Sequence, residues 1–237
     1  MKHRSTDAPV PPTSTRRPSR LVLASAACGT AFAILAALVW SGWQSLLDFD
    51  AHWSARAYAF TSSHRWCEDL ARAATWMGNT LTLTVLTALV VLACAATRRF
   101  LLAGWLAVTV AGSALLNSLI KLGVERLRPP TANALTSAHG FAFPSGHTQG
   151  ATSTYVAVVL VAGWQVYRPG PLGRRATGAA VTVLVAAVGM SRILLGAHWP
   201  TDVLGGWLFG STCVLAATAV LLTSLSRSTP SPRPSAP

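Results

Sequence analysis

Long apolar runs separated by short polar segments fill most of the chain. Six runs stand out, at about 21–43, 76–96, 100–120, 148–166, 176–195 and 203–225. Each is close to the ~20 residues that an α-helix needs to cross the hydrocarbon of a bilayer. A soluble core does not need apolar runs of that length. The pattern predicts an all-α fold, an integral membrane bundle of six transmembrane helices. The polar positions subdivide it. Residues 1–20, rich in Pro, Ser, Thr and Arg, read as a disordered basic tail, 21–225 as the membrane domain, and 226–237 as a disordered Ser/Pro-rich tail.

The first run follows Arg16, Arg17 and Arg20, as a signal peptide's core follows its basic start. It exceeds the ~7–15 residues of a signal core and no cleavage site follows, so it reads as a retained span with Trp40 and Trp43 at the far interface. Residues 45–75 mix Asp48, Asp50, Arg56, Arg65, Glu68, Asp69 and Arg72 with aromatics and alanines. That composition predicts a loop with one or two helices lying along the membrane surface. Arg98 and Arg99 mark a tight turn, and Tyr167-Arg168-Pro169-Gly170-Pro171 marks another.

Composition sharpens this reading. Of 237 residues, 51% are hydrophobic and 11% charged, far below the roughly one-quarter charged residues of a soluble domain. The net charge of +12 raises nucleic acid as a partner, but no basic face interleaved with aromatics is present, so none is expected. The 19 Lys and Arg are better explained by topology. Six spans put both termini on one side, and that side carries most of the cations, which makes both termini cytoplasmic. Lys121, Arg126, Arg128 and Arg192 break the trend. They collect at the opposite surface, with His147, His198 and Asp202. Cys28, Cys94 and Cys213 fall inside apolar runs and Cys67 stands alone in a loop. No cysteine pair has metal-ligand spacing, and small buried apolar residues are the simpler reading.

Three stretches at that surface carry candidate chemistry. In 121–129, Lys121 and Arg128 are seven apart, so two helical turns would put them on one side, roughly 10 Å apart, before Pro129 ends the helix. Two cations snorkelling at a helix exit would look the same. In 143–147, Gly146 lets backbone approach a ligand, the N–H groups of a helix start suit an anion, Ser145 can donate a hydroxyl, and His147 can supply a proton. A simple N-cap uses the same groups. In 191–202, Asp202 lies four residues after His198. It can fix the tautomer of the imidazole and leave the other nitrogen free to attack or to take a proton. Pro200 leaves open whether a helix or a turn brings the pair together. An interfacial loop in which Arg192 snorkels and Asp202 caps the next helix is the alternative. Together, cations, neutral donors and two histidines around one anion meet the needs of phosphoryl transfer. The chain has only 7 Asp and Glu, with no cluster to hold magnesium or calcium, so a metal-free mechanism without cofactor is expected.

Lys-x6-Arg-Pro at 121–129, Pro-Ser-Gly-His at 144–147 and Ser-Arg-x5-His-x3-Asp at 191–202 resemble the three-part signature of the type 2 phosphatidic acid phosphatase superfamily, in order and internal spacing. Through the layout of spans the resemblance covers about residues 76–224. It implies His198 as the nucleophile forming a phosphohistidine, Asp202 as its orienting partner and His147 as general acid. It implies Lys121, Arg128, Ser145, Gly146 and Arg192 as ligands of phosphate oxygens. Arg126 and Glu125 lie between signature positions and receive no role. The superfamily also includes soluble vanadium haloperoxidases, which the apolar spans argue against.

The expected activity is a metal-independent phosphatase acting on a lipid phosphate or pyrophosphate at the outer leaflet of the plasma membrane. Phosphatidic acid, phosphatidylglycerophosphate and undecaprenyl pyrophosphate are all candidate substrates, and an outward site favours the last. A lipid phosphotransferase with the same pocket, and a non-enzymatic protein that binds or transports anionic lipids, are the alternatives. The sequence leaves the oligomeric state open.

Overall fold

The computed structural model describes residues 16–132, 135–136, 138–165 and 170–227. These residues form eight helices and, among themselves, no strand. The helices are α1 (Arg16–Trp40), α2 (Gln44–Ser63), α3 (Arg65–Met77), α4 (Thr80–Ala96), α5 (Phe100–Val124), α6 (Gly146–Gln165), α7 (Pro171–Leu194) and α8 (Pro200–Arg227). Residues 1–15 and 228–237, most of the two expected tails, lie outside the described residues, as do 166–169 in the second expected turn. Helix α1 begins at Arg16, so its first turn already includes residues assigned to the tail.

Among the described residues, four helices, α1, α5, α7 and α8, are long and apolar enough to cross a membrane. Helix α4 has 17 residues, and α3 with α4 would make a fifth span bent by 40°. The expected second run thus breaks at Gly78 and Asn79, where the Asn79 side chain accepts from the Leu81 N–H and starts α4 as an N-cap. Large apolar side chains face outward along the bundle, among them Leu23, Leu81, Val108, Leu172 and Val220. An aqueous protein would bury that surface; lipid does not require it to. This is a multi-pass membrane protein.

Helix α6 sits centrally, packed against α5, α8, α7 and α4, while α1 lies along α8. Its contact with α5 is partly polar. Gln149 donates to Ser113 Oγ at 2.8 Å and to Ser153 Oγ at 3.2 Å. Beneath this layer, Leu106, Ala157, Val161 and Val214 pack from three helices. At the other end, Phe143 packs with Leu35 and Val39 of α1.

The segment expected to lie along the surface is the pair α2–α3. Helix α2 buries Asp50, Ser54 and Thr61 and exposes Phe49, Trp53 and Phe60. That polarity suits a helix with lipid on one side and a polar site on the other. Trp40, Trp43, Trp66 and Trp76 are also exposed around it, as aromatic residues are at a membrane interface. Cys67 is not in a loop. It is buried in α3 beside Thr61 Oγ1, because the amphipathic turns of α3 pack on α7.

Candidate active site

The last turn of α7 and the first of α8 hold the centre of the site. Helix α7 ends at Leu194, and Gly196 adopts φ +67°, a left-handed conformation that glycine enters without steric cost. The chain folds back so that Ala197 and His198 both donate backbone N–H to the Arg192 carbonyl, at 2.9 and 3.2 Å. Helix α8 then starts on Pro200, where a missing N–H costs nothing. Of the two geometries open in the sequence, the turn is the one present. Asp202 Oδ2 accepts the Trp199 N–H at 2.9 Å, closing the first turn of α8, and faces His198 Nδ1 at 3.3 Å.

His198 is buried between opposite partners. Arg128 Nη1 donates to His198 Nε2 at 2.9 Å. An arginine offers no acceptor, so Nε2 carries the lone pair and the proton sits on Nδ1, toward Asp202. Burial, reinforced by the charges of Arg128, Arg192 and Lys121, pushes the His198 pKa well below the usual histidine value. The imidazole is therefore neutral near pH 7, the form a nucleophile needs.

The expected spacing of Lys121 and Arg128 on one helix is not what the chain adopts. Helix α5 stops at Val124 and Glu125 turns left-handed, with φ +50°. Arg128 therefore lies beyond the helix, in a segment without regular structure, and the two cations converge by another route. Lys121 Nζ donates to the carbonyls of Phe141 and Ala142, at 2.6 and 3.3 Å. Arg128 donates to those of His139 and Gly140, both at 2.9 Å. The segment 139–142 thus ties both cations beside His198.

Ser145 and Gly146 arrive from the start of α6. The Ser145 N–H donates to the Asp202 carbonyl at 2.9 Å, and its hydroxyl accepts from Thr148 at 3.0 Å. Glycines on α8 make room for this: a Cβ on Gly205 would lie 2.7 Å from the Phe143 ring. His147, half-buried, stands against Gly78 and within the field of Arg192, Arg128 and Lys121. Arg192 is 2% exposed. Its Nη1 donates to Thr75 Oγ1 of α3 at 2.6 Å, while its buried Nε has no hydrogen-bond partner. Such a donor is expensive to bury unless an anion or water receives it. All eight expected residues therefore belong to one end of the bundle, and contacts run from Lys121 and Arg128 through His198 and Asp202 to Ser145.

Other residues at this end had no assigned part. Arg126 Nη1 donates to Asp202 Oδ1 at 2.7 Å and Nη2 to Asp50 Oδ2 at 2.5 Å. Asp50 also accepts the Thr201 N–H at 3.0 Å and the Thr201 hydroxyl. Asn117, one turn before Lys121, is 4% exposed, with Nδ2 unpartnered and Oδ1 3.8 Å from where a Gly146 Cβ would be. Two carboxylates in an acid-poor chain were the available signal; their shared arginine was not. Among the described residues, no group of three His, Cys, Asp or Glu is placed to hold a metal ion.

Known proteins are similar to parts of this chain. Phosphatidylglycerophosphatase B of Bacillus subtilis is 37% identical over 98 residues, 40% of this chain and 46% of that one. Decaprenylphosphoryl-5-phosphoribose phosphatase of Mycobacterium tuberculosis is 39% identical over 98 residues, 40% of this chain and 47% of that one. Lipid A 1-phosphatase of Rhizobium etli is 32% identical over 117 residues, 45% of this chain and 44% of that one. The matched stretch thus spans under half the length of these relatives. The fold matches the crystal structure of a transmembrane PAP2 type phosphatidylglycerolphosphate phosphatase from Bacillus subtilis. The TM-score is 0.72 at 23% identity, over 91% of this chain and 98% of that one. The sequence model of the PAP2 superfamily matches residues 102–225, which carry all three signature stretches, and the chain belongs to that superfamily.

Proposed function

We propose that this protein is a metal-independent lipid phosphate phosphatase whose turnover runs through a phosphohistidine on His198. The observation that carries the reading is the placement of one neutral imidazole: Nδ1 faces Asp202, and Nε2 faces a cluster of cations. In the first step Nε2 attacks phosphorus and the bond to the leaving oxygen breaks. That oxygen takes a proton from His147, while Asp202 stabilises the charge that develops on the imidazole. In the second step water attacks phosphorus, His147 receives a proton from it, the P–N bond breaks and inorganic phosphate leaves. Lys121, Arg128, Arg192, Ser145 and Gly146 hold the phosphoryl oxygens, where fixed donors and charge do most for such a transition state. The dianionic substrate supplies the negative charge that lets His147 carry a proton beside three cations.

The six-span layout makes α1 and α4 to α8 the membrane helices, with both termini cytoplasmic. The end of α5, the start of α6, the end of α7 and the start of α8 then share the outer face of the plasma membrane. A lipid phosphate whose headgroup lies there is the natural substrate. Phosphatidylglycerophosphate heads the panel because relatives carry its name, with undecaprenyl pyrophosphate and phosphatidic acid beside it.

The test is phosphate release from each lipid by purified protein in detergent, with EDTA present. Chelator should leave turnover unchanged, because Asp50 and Asp202 are already bound by Arg126. His198→Ala should abolish release, and alkaline quench of wild type should trap a phosphoprotein that is stable in base and lost in acid. Full turnover by His198→Ala would remove the proposed nucleophile. Lipid products analysed with and without acceptor alcohols separate hydrolysis from transfer.

A further inference from the structure

We infer that Asp50 and Arg126 are positioning residues for the chemistry, linking the surface helix α2 to the carboxylate that orients His198. The inference rests on the phosphatase reading and adds residues that lie outside its motif. Asp50 precedes the matched family region, 102–225, and Arg126 falls between signature positions.

The geometry is a chain of four groups. Asp50 Oδ2 receives Arg126 Nη2, Arg126 Nη1 reaches Asp202 Oδ1, and Asp202 Oδ2 faces His198 Nδ1. Asp50 and Asp202 are fully buried, and the Arg126 side chain is 9% exposed. A buried carboxylate with one oxygen unpaired would rotate toward whatever donor it could find. Here Oδ1 is held by arginine, so Oδ2 is left at a fixed angle for the Trp199 N–H and the imidazole. Arg126 in turn cannot shift toward solvent, because Asp50 fixes its other amino group and Trp199 lies over its guanidinium, 5.7 Å from the ring centroid. Asp50 is itself anchored to the first turn of α8 through Thr201. Two other contacts bring the same hairpin to the site: Tyr58 against Gly196, and Thr75 to Arg192. The α2–α3 pair therefore frames the catalytic turn as well as lying at the lipid surface.

Outer partners that orient a reacting group typically change activity by about 10- to 100-fold, which sets the expected effect. The experiment is steady-state hydrolysis by full-length protein in detergent, with Asp50→Asn and Arg126→Gln each made in wild-type and Asp202→Asn backgrounds. Asp50→Asn should lower kcat about tenfold, and Arg126→Gln by more, with KM within about twofold. In the Asp202→Asn background neither should lower the residual rate further, because the relay acts only through that carboxylate. Two results overturn the inference: kcat within twofold of wild type in both folded variants, or the same fold-loss whether or not Asp202 is present. The second would mark a purely structural role. Where Asp50→Asn does not yield folded protein, Arg126→Lys carries the test. It keeps the charge and should recover part of what Arg126→Gln loses; a lysine variant no better than glutamine overturns the relay. Failure of the underlying reading looks different, since wild type would then release no phosphate or His198→Ala would retain full activity.

Discussion

Arg128 Nη1 lies 2.9 Å from His198 Nε2, on the lone pair that attacks phosphorus in the proposed mechanism. The same amino group also donates to the Ala197 carbonyl at 2.9 Å. In that mechanism a phosphoryl group reaches Nε2 by taking the place of that donor, and Arg128 changes partner from imidazole to a phosphate oxygen. Lysine keeps the charge but loses the planar fork that spans Gly140, His139 and His198 together. Arg128→Lys should therefore reduce kcat/KM by about 100-fold, the scale of losing one fixed donor to a transition state. Steady-state kinetics on a lipid phosphate checks this; a variant within about threefold of wild type would mean that charge alone suffices.

The burial of His198 has a consequence for stability. Its folded pKa lies well below the ordinary 6.5, because of burial first and the charges of Arg128, Arg192 and Lys121 after it. In the unfolded chain the imidazole takes a proton near 6.5; in the folded protein it does not. The unfolded state then binds more protons, so the contribution to stability is present above about pH 6.5 and is lost as the pH falls below it. Melting of the detergent-solubilised protein should shift to lower temperature between pH 7 and pH 5. The slope should be shallower in His198→Gln. A melting temperature that rises on acidification would contradict this account.

The sequence discloses the apolar runs because lipid selects for uninterrupted hydrophobicity, a signal carried by each segment alone. Helices α1, α5, α7 and α8 follow directly from it, as does the end of the bundle where His147, His198 and Asp202 gather. The surface segment reads as one or two helices from its mixture of charged residues, aromatics and alanines, and two are present. What depends on pairing across the chain is not readable in this way. Nothing in Glu125 announces a left-handed turn, so Lys121 and Arg128 look like neighbours on a helix when they meet through the carbonyls of 139–142. Nothing near Asp50 announces Arg126, 76 positions away. Cys67 looks like a loop residue because the segment around it is polar, whereas α3 turns that thiol inward onto α2.

Gly196 offers a test of how rigid the catalytic turn must be. Its φ of +67° is strained for any L side chain, and an added Cβ would lie 2.6 Å from Thr131 Oγ1 and 2.9 Å from Tyr58 Cδ2. Both conformation and space therefore reject alanine. Gly196→Ala should cost about 1–2 kcal/mol for the backbone alone and should displace His198, two residues on. The expected result is a lower melting temperature together with a loss of kcat. Unchanged kcat in a folded variant would show that the turn tolerates movement without disturbing the imidazole.

Gly206 and Gly210 separate the demands of packing from those of chemistry. Both face α6 one helical turn apart, and small residues at such a crossing let two backbones approach within a membrane. A Cβ on Gly206 would lie 2.8 Å from Thr148 Cβ and 2.9 Å from the Ser145 carbonyl; one on Gly210 would lie 2.8 Å from Thr152 Cβ and 2.9 Å from the Gln149 carbonyl. The crowding is equal, so each alanine should cost a similar stability, on the order of 1–3 kcal/mol for an overpacked contact. The catalytic consequences should differ. Pushing at Gly206 moves Ser145 and strains its N–H bond to the Asp202 carbonyl, whereas pushing at Gly210 acts a turn deeper. Gly206→Ala should therefore lose several times more kcat than Gly210→Ala at matched melting temperature, measured on the same lipid phosphate. Equal losses would mean that the approach of α6 to α8 serves the fold and leaves the position of Ser145 to other contacts.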